Sequence, residues 1–201
     1  VYNPIKDLTL SAVFSYIRDN MNRGYGETLN HISALRDGLA GWSSVGAYTK
    51  MEKLMELTAQ YNKEIGAHKF SVLGGYSYNE TDFEELWIDN YGFQDDYFGG
   101  WHNIGIGSAL KDGKANIGSK KTPTNLIGFF GRATYSFKNR YLLMGALRYE
   151  GASQLWGTDN AWGLFPSISV GWRITEEAFM KNQKIFDDLK LRVGYGVTGS
   201  Q

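Results

Sequence analysis

The sequence predicts an all-β fold: an antiparallel meander of seven strands belonging to a transmembrane β-barrel. Three observations predict it. Apolar and polar residues alternate with period two in seven separate segments. Each segment runs about 9–13 residues, against about 5–6 in ordinary globular strands, and about 9–11 suffice to cross a bilayer at a 45° tilt. The connections alternate strictly between long and short. Outer-membrane barrels have this pattern, with long outside loops and short periplasmic turns.

The first strand is Leu8 to Tyr16, with Leu8, Leu10, Ala12, Phe14 and Tyr16 on one face and Thr9, Ser11, Val13 and Ser15 on the other. The second, about 49–61, sets Met55, Leu57, Ala59 and Tyr61 against Glu56, Thr58 and Gln60. The third, about 69–80, sets Phe70, Val72, Gly74, Tyr76 and Tyr78 against Ser71, Gly75 and Ser77. The fourth, about 125–137, shows Ile127, Phe129, Gly131, Ala133, Tyr135 and Phe137 against Arg132, Thr134 and Ser136. The fifth, about 141–150, shows Tyr141, Leu143, Gly145, Leu147 and Tyr149 against Arg148 and Glu150. The sixth, about 165–174, carries Ile168, Val170, Trp172 and Ile174 opposite Ser167, Ser169 and Arg173. The seventh, about 188–196, carries Leu189, Leu191, Val193 and Tyr195 opposite Lys190, Arg192, Gly194 and Gly196.

Several apolar faces end in Tyr, Phe or Trp, where an aromatic girdle meets the membrane interface. The charged residues Arg132, Arg148, Glu150, Arg173, Lys190 and Arg192 share the polar face. On lipid, each Arg or Lys would cost about 2–4 kcal/mol at the midplane. That face is therefore expected to point at lumen or plug. The long connections are about 17–48, 81–124 and 151–164; the shorter ones are Asn62–His68, Lys138-Asn139-Arg140 and about 175–187. In the last, Thr175 is expected to N-cap one helical turn, with Glu176 and Glu177 near its positive end.

Composition narrows the function classes. Lys+Arg and Asp+Glu are both 21, so there is no basic excess for nucleic acid. There is no cysteine, which removes disulfides and thiolate metal sites. Aromatics reach 15% with only 3 Pro, as suits strands and turns. No apolar run is long enough for a membrane helix. The mean hydropathy of −0.36 is compatible with a barrel, because only alternate residues face lipid. No signal peptide opens the chain at Val1, and seven is an odd number where bacterial barrels have even counts. An internal barrel fragment with both sheet edges cut is the expectation. The competing reading is a soluble carbohydrate-binding or adhesin β-sandwich that buries the same faces and binds through aromatic loops.

Four motifs carry a resemblance. Gly131-Arg-Ala-Thr-Tyr-Ser-Phe-Lys-Asn-Arg-Tyr-Leu-Leu143, Arg148-Tyr-Glu-Gly-Ala-Ser153, Trp162-Gly-Leu-Phe-Pro-Ser-Ile-Ser-Val-Gly-Trp-Arg-Ile-Thr-Glu-Glu177 with Phe179-Met-Lys181, and Leu189-Lys-Leu-Arg-Val-Gly-Tyr-Gly-Val-Thr-Gly-Ser-Gln201 occur in this order. Together they resemble the SusC/RagA-type TonB-linked outer-membrane proteins of the Bacteroidetes. Tyr61 to Tyr78, with Gly66-Ala-His-Lys-Phe70, resembles an earlier hairpin of that barrel. The likeness is good over about 48–201 and weak over 1–47. Ala152 stands where Ser is usual and Ser200 where Asn is usual. The resemblance implies a 22-stranded outer-membrane barrel of which residues 1–201 are part, with no plug domain among them. It implies energisation by TonB through an N-terminal part, a SusD-like surface lipoprotein, and uptake of oligosaccharides or peptides too large for passive porins.

Catalytic chemistry has little support. His31, His68 and His102 show no metal-ligand or triad spacing, and His68 reads as a solvated turn residue. Glu84-Glu85 and Asp95-Asp96 are adjacent pairs, whereas glycosidase carboxylates face each other across a sugar. No enzyme activity, cofactor or metal is expected. The 81–124 connection holds Asp82-Phe-Glu-Glu-Leu-Trp-Ile-Asp-Asn-Tyr91 and Asp95-Asp-Tyr-Phe-Gly-Gly-Trp-His102. Flat aromatic faces beside carboxylates suit sugar binding. They equally suit loop self-packing or lipoprotein docking. Trp87, Tyr91, Tyr97, Trp101 and Trp156 are the candidate contact residues. Gly105-Ile-Gly-Ser108 and Lys111-Asp-Gly-Lys114 read as turns, and Trp162 as a lining of the mouth or an interface anchor.

Overall fold

The computed structural model describes residues 1–32, 38–96, 100–182 and 185–199. The strands are β1 Tyr2–Ile5, β2 Leu8–Glu27, β3 Trp42–Ile65, β4 His68–Tyr91, β5 Asn116–Phe137, β6 Tyr141–Ala152, β7 Trp162–Arg173 and β8 Lys190–Gly196. They form one sheet in strict sequence order, an antiparallel meander. The seven expected strands are β2 to β8. An eighth, β1, precedes them, so the odd count expected from the sequence is corrected to eight. β1 has four residues with Pro4 among them, too short to show alternation.

A second correction concerns length. β2 has 20 residues, β3 and β4 have 24 each, and β5 has 22. Much of the expected long connections 17–48 and 81–124 is therefore strand, leaving only 28–41 and 92–115 between the strands. Lys50, Glu52, Lys53 and Glu80 all lie inside strands and pair across or along them, as Lys53 Nζ does with Glu80 at 2.9 Å. Polar residues on both faces erase period-two contrast without disturbing the ladder.

The turns explain the register. Gly66-Ala67 joins β3 to β4, with Gly66 at φ +57°. Between β5 and β6, Arg140 N–H donates to Phe137 O at 2.9 Å, and Lys138 and Asn139 both have positive φ, 54° and 55°. These are the features of a type I′ hairpin turn. It sets Phe137 opposite Tyr141, and the pairing runs unbroken to Leu126 opposite Ala152. β7 continues it, with Trp172 opposite Tyr141 and Ile168 opposite Gly145.

The chain divides into two compact units. One comprises Val1–Ser15, Lys53–Glu80 and Thr124–Gln201; the other comprises Tyr16–Glu52 and Thr81–Pro123. In the first, the apolar face is the open one. Leu143, Leu147, Leu164, Ile168, Val170, Leu191 and Val193 are all exposed. Their polar or small neighbours Ser167, Ser169 and Arg148 are half-buried. Among the described residues only Phe93, Ala109 and Ala152 are buried apolar side chains. A soluble sandwich would bury these faces against a second sheet. The structure has the opposite arrangement, which lipid alone stabilises.

The connection after β7 departs from expectation. It holds two single 3₁₀ turns, Ile174–Glu176 and Ala178–Met180, and no side chain caps either. Thr175 is not an N-cap: its hydroxyl bonds Asp188 Oδ1 at 3.2 Å and lies 3.4 Å from Leu189 N. Likewise Gly105 falls in a 3₁₀ segment, Gly100–Ile106, and Ser108–Lys111 is one helical turn. The Lys111–Lys114 turn does form, with Gly113 at φ +68°.

Candidate functional site

In the first unit, aromatic side chains form two rows on the open face. The lower row links His68, Phe70, Tyr135, Phe137 and Tyr141, with ring centroids 4.7 Å apart for His68–Phe137, 4.9 Å for Phe70–Tyr135 and 6.4 Å for Phe137–Tyr141. Trp172 continues it by register. His68 is therefore no mere solvated turn residue: its Nδ1 lies 2.8 Å from Tyr135 Oη and its ring stacks within the row. The upper row contains Tyr76–Phe129 at 5.3 Å and Tyr149–Trp162 at 4.7 Å. Trp162 stands on the open face, stacked on Tyr149.

Trp162 and Trp172 are the two ends of the same strand face. Ten strand residues span roughly 33 Å, which a 35–45° tilt reduces to about 25 Å, the height of an outer-membrane apolar band. The opposite face carries the charges. Arg148 holds Glu150 through two bonds of 2.8 Å and lies over the Phe130 ring at 5.8 Å. Phe130 in turn covers Gly75 across the strand pair, where a Cβ would run into the ring. Arg148 and Glu150 are thus paired on the polar face.

In the second unit, three of the five candidate contact residues are placed. Trp87 lies in β4, not in a loop, and its ring covers Gly118 of β5. Tyr91 closes β4 and packs toward Trp42 at 6.4 Å, and Trp42 packs on Tyr25 at 5.2 Å. Trp101 sits in the 3₁₀ segment, over Gly24 and Gly26 of β2, and remains partly exposed. Tyr97 lies outside the described residues. Trp156, in the first unit, is 70% exposed.

Trp101 borders a cleft of about 230 Å³ with Phe93, Asp95, Asp96 and Glu27. The motif's aromatic and its carboxylates are therefore brought together. Asp96 Oδ1 also accepts from Leu29 N at 3.0 Å. The segment that carries Trp101 is tied to β4 by Asn90, which the sequence does not single out. Asn90 is fully buried. Its Nδ2 donates to Ile104 O at 2.7 Å and Gly107 O at 3.0 Å, and its Oδ1 accepts from Tyr91 N at 2.9 Å. Further bonds fix the loop: Gly92 N–H donates to Ala40 O at 3.1 Å, and Ser108 N–H to Gly92 O at 3.1 Å. Nearby on β4 and β5, Lys121 bonds Asp82 at 2.9 Å and Glu84 at 2.5 Å. These two carboxylates push the Lys121 ammonium well above its ordinary pKa. Among the described residues no group of His, Asp and Glu is arranged to hold a metal ion.

An unclosed antiparallel meander with an open apolar face, two aromatic rows and a charged opposite face defines a segment of transmembrane β-barrel wall. The chain belongs to the TonB dependent receptor-like β-barrel family, whose model matches residues 2–200. A TonB-dependent receptor of Formosa agariphila is 33% identical over the whole chain, which covers 20% of that protein. The TonB-dependent receptor SusC of Bacteroides thetaiotaomicron is 35% identical over 80% of the chain and 15% of its own length. The chain thus spans about a fifth or less of these curated relatives. Among solved structures, the RagAB peptide transporter matches 96% of the chain and 21% of its own, with a TM-score of 0.74 at 24% identity. That likeness bears on the fold, and it is the barrel fold described above. Members of the family are transporters of the outer membrane, where a face that exposes Leu, Ile and Val is at home.

Proposed function

We propose that residues 1–201 form part of the barrel wall of an importer that takes up oligosaccharides or peptides with a SusD-like lipoprotein, powered by TonB through a plug lying elsewhere in the protein. The observation that carries this reading is the Trp101 cleft. It sets an aromatic face beside Asp95 and Asp96, the combination that grips a sugar ring or a peptide's polar groups. SusC itself is named a TonB-dependent receptor, and RagAB is a peptide transporter. Trp101 and the exposed Trp156 are the aromatics offered to ligand or lipoprotein; Trp87 packs over Gly118 and Tyr91 toward Trp42.

The test is uptake by cells carrying the full-length protein. Trp101→Ala is expected to reduce import of one ligand class, oligosaccharide or peptide, by at least fivefold at unchanged surface expression. A lipoprotein is expected to co-purify with the full-length barrel. Wild-type uptake of both classes by the variant, together with absence of any lipoprotein, would overturn the proposal.

A further inference from the structure

We propose that residues 174–182, which follow β7, form an interfacial membrane anchor that lies on the lipid side of the barrel wall and inserts Phe179 into the headgroup layer of the leaflet at the short-turn end. The geometry begins with Glu177. Its Oε1 accepts from Tyr141 Oη at 2.7 Å and from Trp172 Nε1 at 3.0 Å. Its Oε2 accepts from Arg140 Nη1 at 2.7 Å. Tyr141 and Trp172 are register partners in the lower aromatic row. They share a strand face with Leu143, Ile168 and Val170, the open apolar face.

The carboxylate therefore meets the wall from its lipid side. A connection turning under the lumen would instead meet the other face, where Leu142, Gly171 and Lys190 approach one another. Three donors hold Glu177, enough to compensate an ionised carboxylate taken out of bulk water. Phe179 follows two residues later, so it lies within about 7 Å along the chain. It is 69% exposed. Met180 and Lys181 come next, and Ile185 and Phe186 of the same connection are exposed too.

Exposed Phe and Ile side chains beside a Lys are poor company for water. They match the interface, where apolar side chains enter the acyl boundary and a cation meets lipid phosphate. The anchor is continuous with a surface that already faces lipid, and this continuity identifies its occupant as phospholipid rather than a periplasmic protein. Glu177 acts as a positioning residue: it fixes where the anchor leaves the wall.

The full-length protein, reconstituted in phosphatidylethanolamine–phosphatidylglycerol vesicles, tests this. An environment-sensitive fluorophore is attached at Phe179→Cys and, separately, at Leu143→Cys. Quenching is compared between a shallow nitroxide lipid, a deep nitroxide lipid and aqueous iodide. At position 179 the shallow nitroxide is expected to quench at least twice as strongly as the deep one, with iodide weak. Glu177→Gln should halve the lipid quenching at 179 and leave position 143 unchanged. A water-exposed probe at 179 overturns the proposal, as does one shielded from both lipid and iodide, which would mean a protein cover. Unchanged quenching in Glu177→Gln overturns the positioning role. Loss of lipid quenching at 143 as well would indict the facing of the whole wall, a separate failure.

Discussion

The side-chain amide of Asn90 reaches the carbonyl of Gly107 at 3.0 Å, across a loop 17 residues later in the chain. It also holds Ile104. This fully buried amide therefore ties the end of β4 to the segment that follows Gly100. Removing it strands the buried Gly107 carbonyl and the half-buried Ile104 carbonyl; a buried one costs about 1–3 kcal/mol. Asn90→Ala is expected to release the Gly100–Ile106 segment by roughly 2–3 kcal/mol, read as faster amide hydrogen exchange there with β6 and β7 unchanged. Asn90→Asp should be worse, because a carboxylate would face two carbonyl oxygens.

The facing of β7 makes a sharp pair of substitutions. Ile168 lies midway between Trp162 and Trp172 on the open face, and Ser169 points the other way. Ile168→Arg should lower barrel stability by about 2–4 kcal/mol, while Ser169→Arg should stay within about 1 kcal/mol. Folding yield and urea unfolding of the full-length protein in vesicles measure both. Equal effects would show that the two faces are not distinguished by lipid.

Gly75 and Phe130 form a coupled pair on the polar face. Gly75→Val should overpack the ring and destabilise by about 1–3 kcal/mol. Combining it with Phe130→Ala should recover part of that loss, because neighbouring sites are non-additive. A double-mutant cycle by denaturant unfolding checks the coupling. Strict additivity would mean that the ring does not cover the glycine.

Glu177 predicts a pH dependence with a definite sign. The hydrogen bonds from Tyr141 and Trp172, then the Arg140 charge, lower its pKa below the ordinary value of 4.5. A depressed carboxylate stabilises the fold fully above its unfolded pKa, and the contribution disappears as pH falls through the folded value. Thermal unfolding of the full-length protein should therefore be flat near neutrality and weaken below about pH 4.5. Glu177→Gln should remove that portion of the acid sensitivity and lower stability at neutral pH.

Much of the wall was legible in the sequence because lipid demands contrast. β6, β7 and β8 alternate cleanly, and their bounds lie within a few residues of those expected. β2 to β5 run longer than the alternation predicts, since Asp19, Arg23, Asp82, Glu84 and Glu85 put charge on stretches where no apolar face is required. The candidate aromatics were visible as residue types. Their roles were not, because Trp87 over Gly118 and Trp101 over Gly24 depend on cross-strand register. Asn90 looked like any loop-bordering polar residue. Glu177 was assigned to a helix terminus because its true partners, Arg140 and Tyr141, lie more than thirty residues away.

The strict strand order has a kinetic consequence. Each strand finds its partner in the one just before it, so no pairing waits for a distant segment. Ring closure is cheap at Lys138–Arg140, with three residues, and dearer for the 24 residues of 92–115. Loop entropy grows only logarithmically, so the difference is roughly 2 kcal/mol. Hairpins can therefore zip on one at a time, and the growing sheet never exposes more than one unsatisfied edge on the side where the next strand arrives.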